Sequence, residues 1–163
     1  MRPGQASLID AELAAFLESP VMIILGTGAD GMPEIGRGRG ACVDEGGKAL
    51  QVVVSTWQWP ETVENARRSG RVAATFARPS DYVTYQIKGC VESVEPLTPA
   101  LQACTEGYAE RVAAVLAELG LSPELTTPWG ADRELVVLRI RAEQIFVQTP
   151  GARAGSLIAV LGP

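Results

Sequence analysis

The chain is predicted to be mainly β, an α+β protein built on a mostly antiparallel sheet with helices beside it. Three observations predict this. Short β-rich runs recur along the 163 residues, turns of hairpin length join them, and helical periodicity is confined to three stretches. Hairpin-length turns pair neighbouring strands antiparallel. A closed or split barrel with its helices outside would remove the edges of such a sheet.

Each element has its own signal. Ser7-Leu8-Ile9-Asp10 is a capping sequence, and Leu13, Phe16 and Leu17 place an apolar stripe on a short helix that Pro20 ends. A strand over 21–27 runs into the turn Gly28-Ala29-Asp30-Gly31, and a second extended segment covers 33–43. Asp44-Glu45-Gly46-Gly47 turns the chain into a third strand over 49–56, which completes a meander. Pro60 opens a short helix and Gly70 suits its C-terminal cap. Strands follow over 71–77 and 82–94; in the second, Val83, Tyr85, Ile87 and Val91 share one face. Thr98-Pro99 starts one long helix, with Leu101, Cys104, Tyr108, Val112, Val115 and Leu119 at helical spacing and Gly120 at its end. A loop through Trp129, a last strand over 134–148 and a tail of small residues complete the order.

Composition bounds the chemistry. Apolar residues make up 47% and charged residues 20%, which describes a globular chain, and 163 residues suit a single domain spanning 1–163. The net charge is −5 and the pI about 4.8, which argues against non-specific nucleic-acid binding. No apolar run is long enough to span a bilayer, and Met-Arg-Pro-Gly-Gln lacks a signal-peptide core. A soluble cytoplasmic protein with reduced thiols is expected. The sequence has no histidine, so the Ser-His-Asp triad, the Cys-His dyad, His-ligated zinc and haem held by imidazole are all removed. Cys42, Cys90 and Cys104 show no paired ligand spacing and leave an odd thiol, so neither a disulfide framework nor a structural metal is expected.

Two segments could carry chemistry. In Gly36-Arg37-Gly38-Arg39-Gly40, period-two alternation sends the glycines to one face and both guanidinium groups to the other. Three glycines inside a strand cost stability. They allow a flat ligand or another backbone to approach closely while the arginines hold an anion, or they mark a strongly bent barrel strand with solvated arginines. Ser55 and Thr56 end the third strand just before Trp57-Gln58-Trp59-Pro60 and a helix start; they can bind an anion there or simply cap the helix. Six of the 12 arginines lie between Arg37 and Arg78.

Taken together, these motifs resemble the FMN-binding split-barrel proteins related to pyridoxamine 5′-phosphate oxidase. The resemblance runs through Leu13-x-x-Phe16-Leu17, Ile24-Leu25-Gly26-Thr27, Gly31-x-Pro33 and Arg37-Gly38-Arg39. It continues through Ser55-Thr56, Asn65, Gly70-Arg71-Val72-Ala73, Ile87-Lys88-Gly89 and Ile145-Phe146-x-x-Thr149-Pro150-Gly151. It implies a six-stranded antiparallel split β-barrel with flanking helices, a homodimer, and FMN in clefts between the subunits. By this resemblance Arg37, Gly38, Arg39, Ser55, Thr56, Thr62 and Arg67 are the cofactor-binding residues, and the activity is that of an oxidoreductase with a small-molecule redox substrate. No catalytic side chain is assigned, because the flavin carries the chemistry. The chain departs from the pattern at Glu61-Thr62, where the family commonly has Ser-Lys against the phosphate, and at Gln86, two residues beyond the family's glutamine. Those departures keep a second reading open, a non-catalytic ligand-binding or stress-related split barrel with an empty cleft or another cofactor. A deazaflavin could replace FMN, whereas haem is disfavoured by the missing histidine.

Overall fold

Asp30 and Gly31 both take positive φ, 53° and 76°, and pair Ala29 with Met32 across a two-residue hairpin. The computed structural model that contains this turn describes residues 7–129 and 131–162. The N-terminal residues read above for a signal peptide lie outside the described residues. The hairpin joins β1 (Met22–Ala29) to β2 (Met32–Arg37); β3 (Ala41–Val43), β4 (Ala49–Ser55), β5 (Arg71–Ala77), β6 (Thr84–Pro96), β7 (Leu135–Val147) and β8 (Ser156–Val160) follow. All pairings are antiparallel, in the order β2-β1-β5-β6-β7-β4-β3, with β8 added beside β7.

The ladder is open, and its two end strands are two parts of one segment. The single strand expected over 33–43 divides at residues 38–40. β2 pairs with β1, then Gly38 donates to the Ile23 carbonyl while Arg39 donates to the Val53 carbonyl and Val53 to that of Gly40. The segment thereby leaves one wall of the barrel and joins the opposite one, with Gly40 at φ 128° where the path bends. Counting β2 and β3 together gives the six expected barrel strands. β8 is an addition, found where the sequence suggested only a tail.

Alternation fills the interior. Ile23 and Leu25 of β1, Leu50, Val52 and Val54 of β4, Ala74 and Phe76 of β5, and Ile87 of β6 are all buried. On β7 the inward set is Leu138, Ile140 and Ala142, and then Ile145. The change of parity is explained by a bulge, since Gly89 faces Ala142 while Lys88 faces Gln144, which leaves Glu143 unpaired. Gly89 lies so close to the Arg141 carbonyl that a Cβ there would overlap it.

Among the described residues, five α-helices lie outside the barrel. α1 (Ala11–Leu17) starts at Asp10, whose carboxylate accepts from Leu13 N at 2.8 Å, as the capping sequence predicts. α2 (Pro60–Ser69) carries Pro60 in its first turn and Gly70 at its left-handed cap. The long helix expected from Thr98 is two helices, α3 (Pro99–Thr105) and α4 (Tyr108–Glu118), broken at Gly107 with φ 72°. Leu101, Tyr108, Val112 and Leu116 are buried, whereas Leu119, at the C-cap of α4, is 51% exposed. α5 (Pro123–Thr126) and a 3-10 turn through Trp129 occupy the expected loop.

The cysteine expectation is corrected as well. Cys42 of β3 and Cys104 of α3 form a disulfide across 62 residues, and Cys90 is the free thiol. Sequence spacing could not reveal this pair, because the fold alone lays α3 on β3.

Candidate functional site

Arg37 ends β2 and Arg39 lies in the crossing segment, so alternation turns both guanidinium groups outward, beneath α4. They border a pocket of about 60 Å³ whose other walls include Ile23, Tyr108, Val112, Leu116 and Trp129. The Arg37 guanidinium stacks over Trp129 at 4.7 Å and has no carboxylate partner among the described residues. Arg39 reaches Asp132 at 3.4 Å, a mostly shielded cation against an exposed carboxylate. Tyr108, 8% exposed, donates its hydroxyl proton to the Val21 carbonyl at 2.5 Å. Burial pushes its ionisation well above the ordinary phenol range, against the opposing pull of the Arg37 and Arg39 charges.

The glycines beside these arginines do not present one open face. A Cβ on Gly36 would run into Thr62 of α2, one on Gly38 would sit 2.6 Å from Ile23 and 2.8 Å from Val52, and one on Gly40 would meet Thr105 of α3 at 2.7 Å. The protein's own side chains fill the space that sequence reasoning offered to a flat ligand. A bent strand with close packing accounts for the glycines, but the arginines are not the solvated pair of that reading, since Arg37 stacks on Trp129 and Arg39 pairs with Asp132.

Ser55 ends β4 and Thr56 begins the turn after it, both against the segment 131–134. The Ser55 hydroxyl donates to the Arg133 carbonyl at 2.7 Å and accepts from Gln58 N at 3.2 Å, which fixes the turn into α2. The Thr56 hydroxyl donates to the Glu134 carbonyl at 2.9 Å. Gln58 ties the same cover down, donating to the Pro128 carbonyl at 2.6 Å and accepting from Ala131 N at 3.1 Å. Arg133 in turn stacks on Trp57 at 5.0 Å.

The seven residues singled out in the sequence therefore fall into separate groups. Arg37, Gly38 and Arg39 share one pocket. Ser55 and Thr56 adjoin it through the 131–134 segment, which also holds Asp132 against Arg39. Thr62 is buried against Gly36, and its hydroxyl has no hydrogen-bond partner among the described residues. Arg67 stands on the exposed side of α2, 3.9 Å from Glu64. Sequence reasoning missed Tyr108 and Trp129. Tyr108 looked like one more position of an apolar helical stripe, and Trp129 lay in a stretch with no periodicity.

No protein-family model matches the chain, and no curated protein matches it in sequence. Solved structures do match in shape. An F420 reductase is 20% identical, with a TM-score of 0.51, over 80% of this chain and 93% of the other. A candidate pyridoxamine 5′-phosphate oxidase from Lactobacillus delbrueckii is 16% identical, with a TM-score of 0.51, over 90% and 97%. HutZ, a heme storage protein from Vibrio cholerae, is 15% identical, with a TM-score of 0.51, over 85% and 94%. The open antiparallel ladder with outer helices is thus a split β-barrel. Its fold is that of the pyridoxamine 5′-phosphate oxidase-like proteins.

Proposed function

We propose that the chain is a flavin-binding split barrel that holds FMN and acts as an oxidoreductase on a small-molecule redox substrate, working as a homodimer. The observation that carries this reading is Arg37, a guanidinium without a carboxylate partner among the described residues. It is stacked on Trp129 at the mouth of an apolar pocket. Arg37 and Arg39 fit the anionic end of a flavin nucleotide, and a pocket of about 60 Å³ takes that end alone, so the ring would lie outside it, in the cleft between subunits. Thr62 and Arg67 do not face that pocket, so the phosphate falls to the two arginines. A bound flavin would supply hydride or electron transfer. The chain's own residues would bind and orient it, and the cover through Trp129 would limit the access of water. A deazaflavin is the nearest variant.

The second reading, a non-catalytic split barrel, is favoured by a different observation. The Ser55 and Thr56 hydroxyls are committed to backbone carbonyls, and Glu61 adds negative charge in the first turn of α2. Haem finds no imidazole ligand in this chain. Absorbance of the purified protein decides between the readings. The flavin reading expects a yellow protein that releases FMN on denaturation. A colourless protein that binds neither FMN nor a deazaflavin at micromolar concentration leaves the non-catalytic reading.

A further inference from the structure

On the side of β3 and α3 that carries the disulfide, Glu18 comes within reach of both sulfurs. Ligand atoms of Glu18, Cys42 and Cys104 all lie within 4.8 Å of one another, although they come from the end of α1, from β3 and from α3. Each is anchored independently of the sulfur–sulfur bond. Leu17, next to Glu18, is fully buried, and Oε1 of Glu18 accepts from Val43 N at 2.8 Å, which leaves its second oxygen available. Cys42 packs with Val53, Val137 and Leu101, the last from α3 itself. The packing of Leu101 on Cys42 therefore keeps α3 beside β3 when the disulfide is broken, and the two sulfurs separate by side-chain rotation.

We propose that Glu18, Cys42 and Cys104 bind a thiophilic divalent cation of the zinc class when Cys42 and Cys104 are reduced, and that the disulfide abolishes the site. Two thiolates and a carboxylate are a donor set that zinc accepts, with bonds of roughly 2.0–2.3 Å within easy reach of atoms so close. Glu18 and Cys104 are exposed, so water completes the tetrahedron. The chemistry balances with a low-molecular-weight dithiol as reductant. Two electrons and two protons pass to the protein sulfurs, and the dithiol leaves as its own disulfide. The cation then displaces one proton from each thiol into solvent.

The test compares oxidised and reduced protein, each desalted, incubated with Zn²⁺ and assayed for retained metal. One ion per reduced chain and none per oxidised chain is expected. Co²⁺ in place of zinc should give a thiolate charge-transfer band in the reduced protein only. Glu18→Gln keeps both cysteines and the acceptor for Val43 N, and should weaken zinc binding at least about tenfold. Cys90→Ser should leave the stoichiometry unchanged. Reduced protein that retains no metal overturns the proposal. So does wild-type affinity in Glu18→Gln, or loss of binding in Cys90→Ser. If Cys42→Ser fails to fold, the Glu18 variant and the cobalt spectrum still decide.

Discussion

Tyr108 joins the barrel wall to the cover over the arginine pocket, and its environment sets a pH dependence. Burial favours the neutral phenol, so its ionisation in the folded state lies above the value of about 10 expected in the unfolded chain. A group raised in this way contributes fully below the unfolded value, and the contribution is lost as pH rises toward the folded one. Urea unfolding from about pH 8 to about pH 11 should show stability falling at the alkaline end. Tyr108→Phe should flatten that fall and, near neutral pH, cost about 0.5–1.5 kcal/mol for the lost bond to the Val21 carbonyl. An unaltered alkaline slope in the variant would show that the phenol is not its source. Arg37 is tested by binding: Arg37→Ala should weaken FMN by about 1–3 kcal/mol in a fluorescence titration. Unchanged affinity would place the phosphate elsewhere.

At the scale of elements, the crossing segment carries the sharpest expectation. Gly38→Ala should cost about 1–3 kcal/mol, because the new methyl meets Ile23 and Val52 inside a filled core. Gly26→Ala, where the nearest atom is the Ala73 carbonyl oxygen at 3.7 Å, should change stability by no more than about 0.5 kcal/mol. Equal losses would mean that glycine's backbone freedom, rather than space, sets the requirement. Much of the element order was legible because its signals are local: Asp30-Gly31 at a hairpin, Asp10 at a helix start, Pro60 and Gly70 at the ends of α2. What escaped depends on distant partners. Residues 33–43 alternate like one strand and divide only because two different strands receive their halves. Gly107 breaks a helix whose apolar spacing continues through it. β8 follows the glycine-containing turn 151–155 as a short apolar run, and only its ladder with β7 makes it a strand. At the site, Arg37, Gly38 and Arg39 were legible as a motif, whereas the cover through Trp129 that completes their pocket was not.

The whole molecule is tied together by links far apart in sequence. Reduction of Cys42–Cys104 removes a constraint spanning 62 residues and should lower unfolding stability by about 2–4 kcal/mol in the absence of metal, as shown by a lower urea midpoint. Assembly is the other property at this scale. Met32 and Ile35 on β2, Trp57 beyond β4, and Leu157 and Ile158 on β8 are all exposed apolar side chains. Sedimentation of the proposed dimer should give twice 17.2 kDa; a monomer would remove a flavin site shared between subunits.

β7 is the strand on which barrel closure depends, since it pairs with β6 along one edge and with β4 and β8 along the other. Synthesis of β4 is complete at residue 55, but Leu135, the partner of Ser55, is made about 80 residues later. Throughout that interval the nascent chain carries Val52, Val53 and Val54 on a strand edge that only β7 can cover. Vectorial synthesis thus makes barrel closure a late event, and the β4 edge is the surface that a nascent-chain chaperone would have to shield.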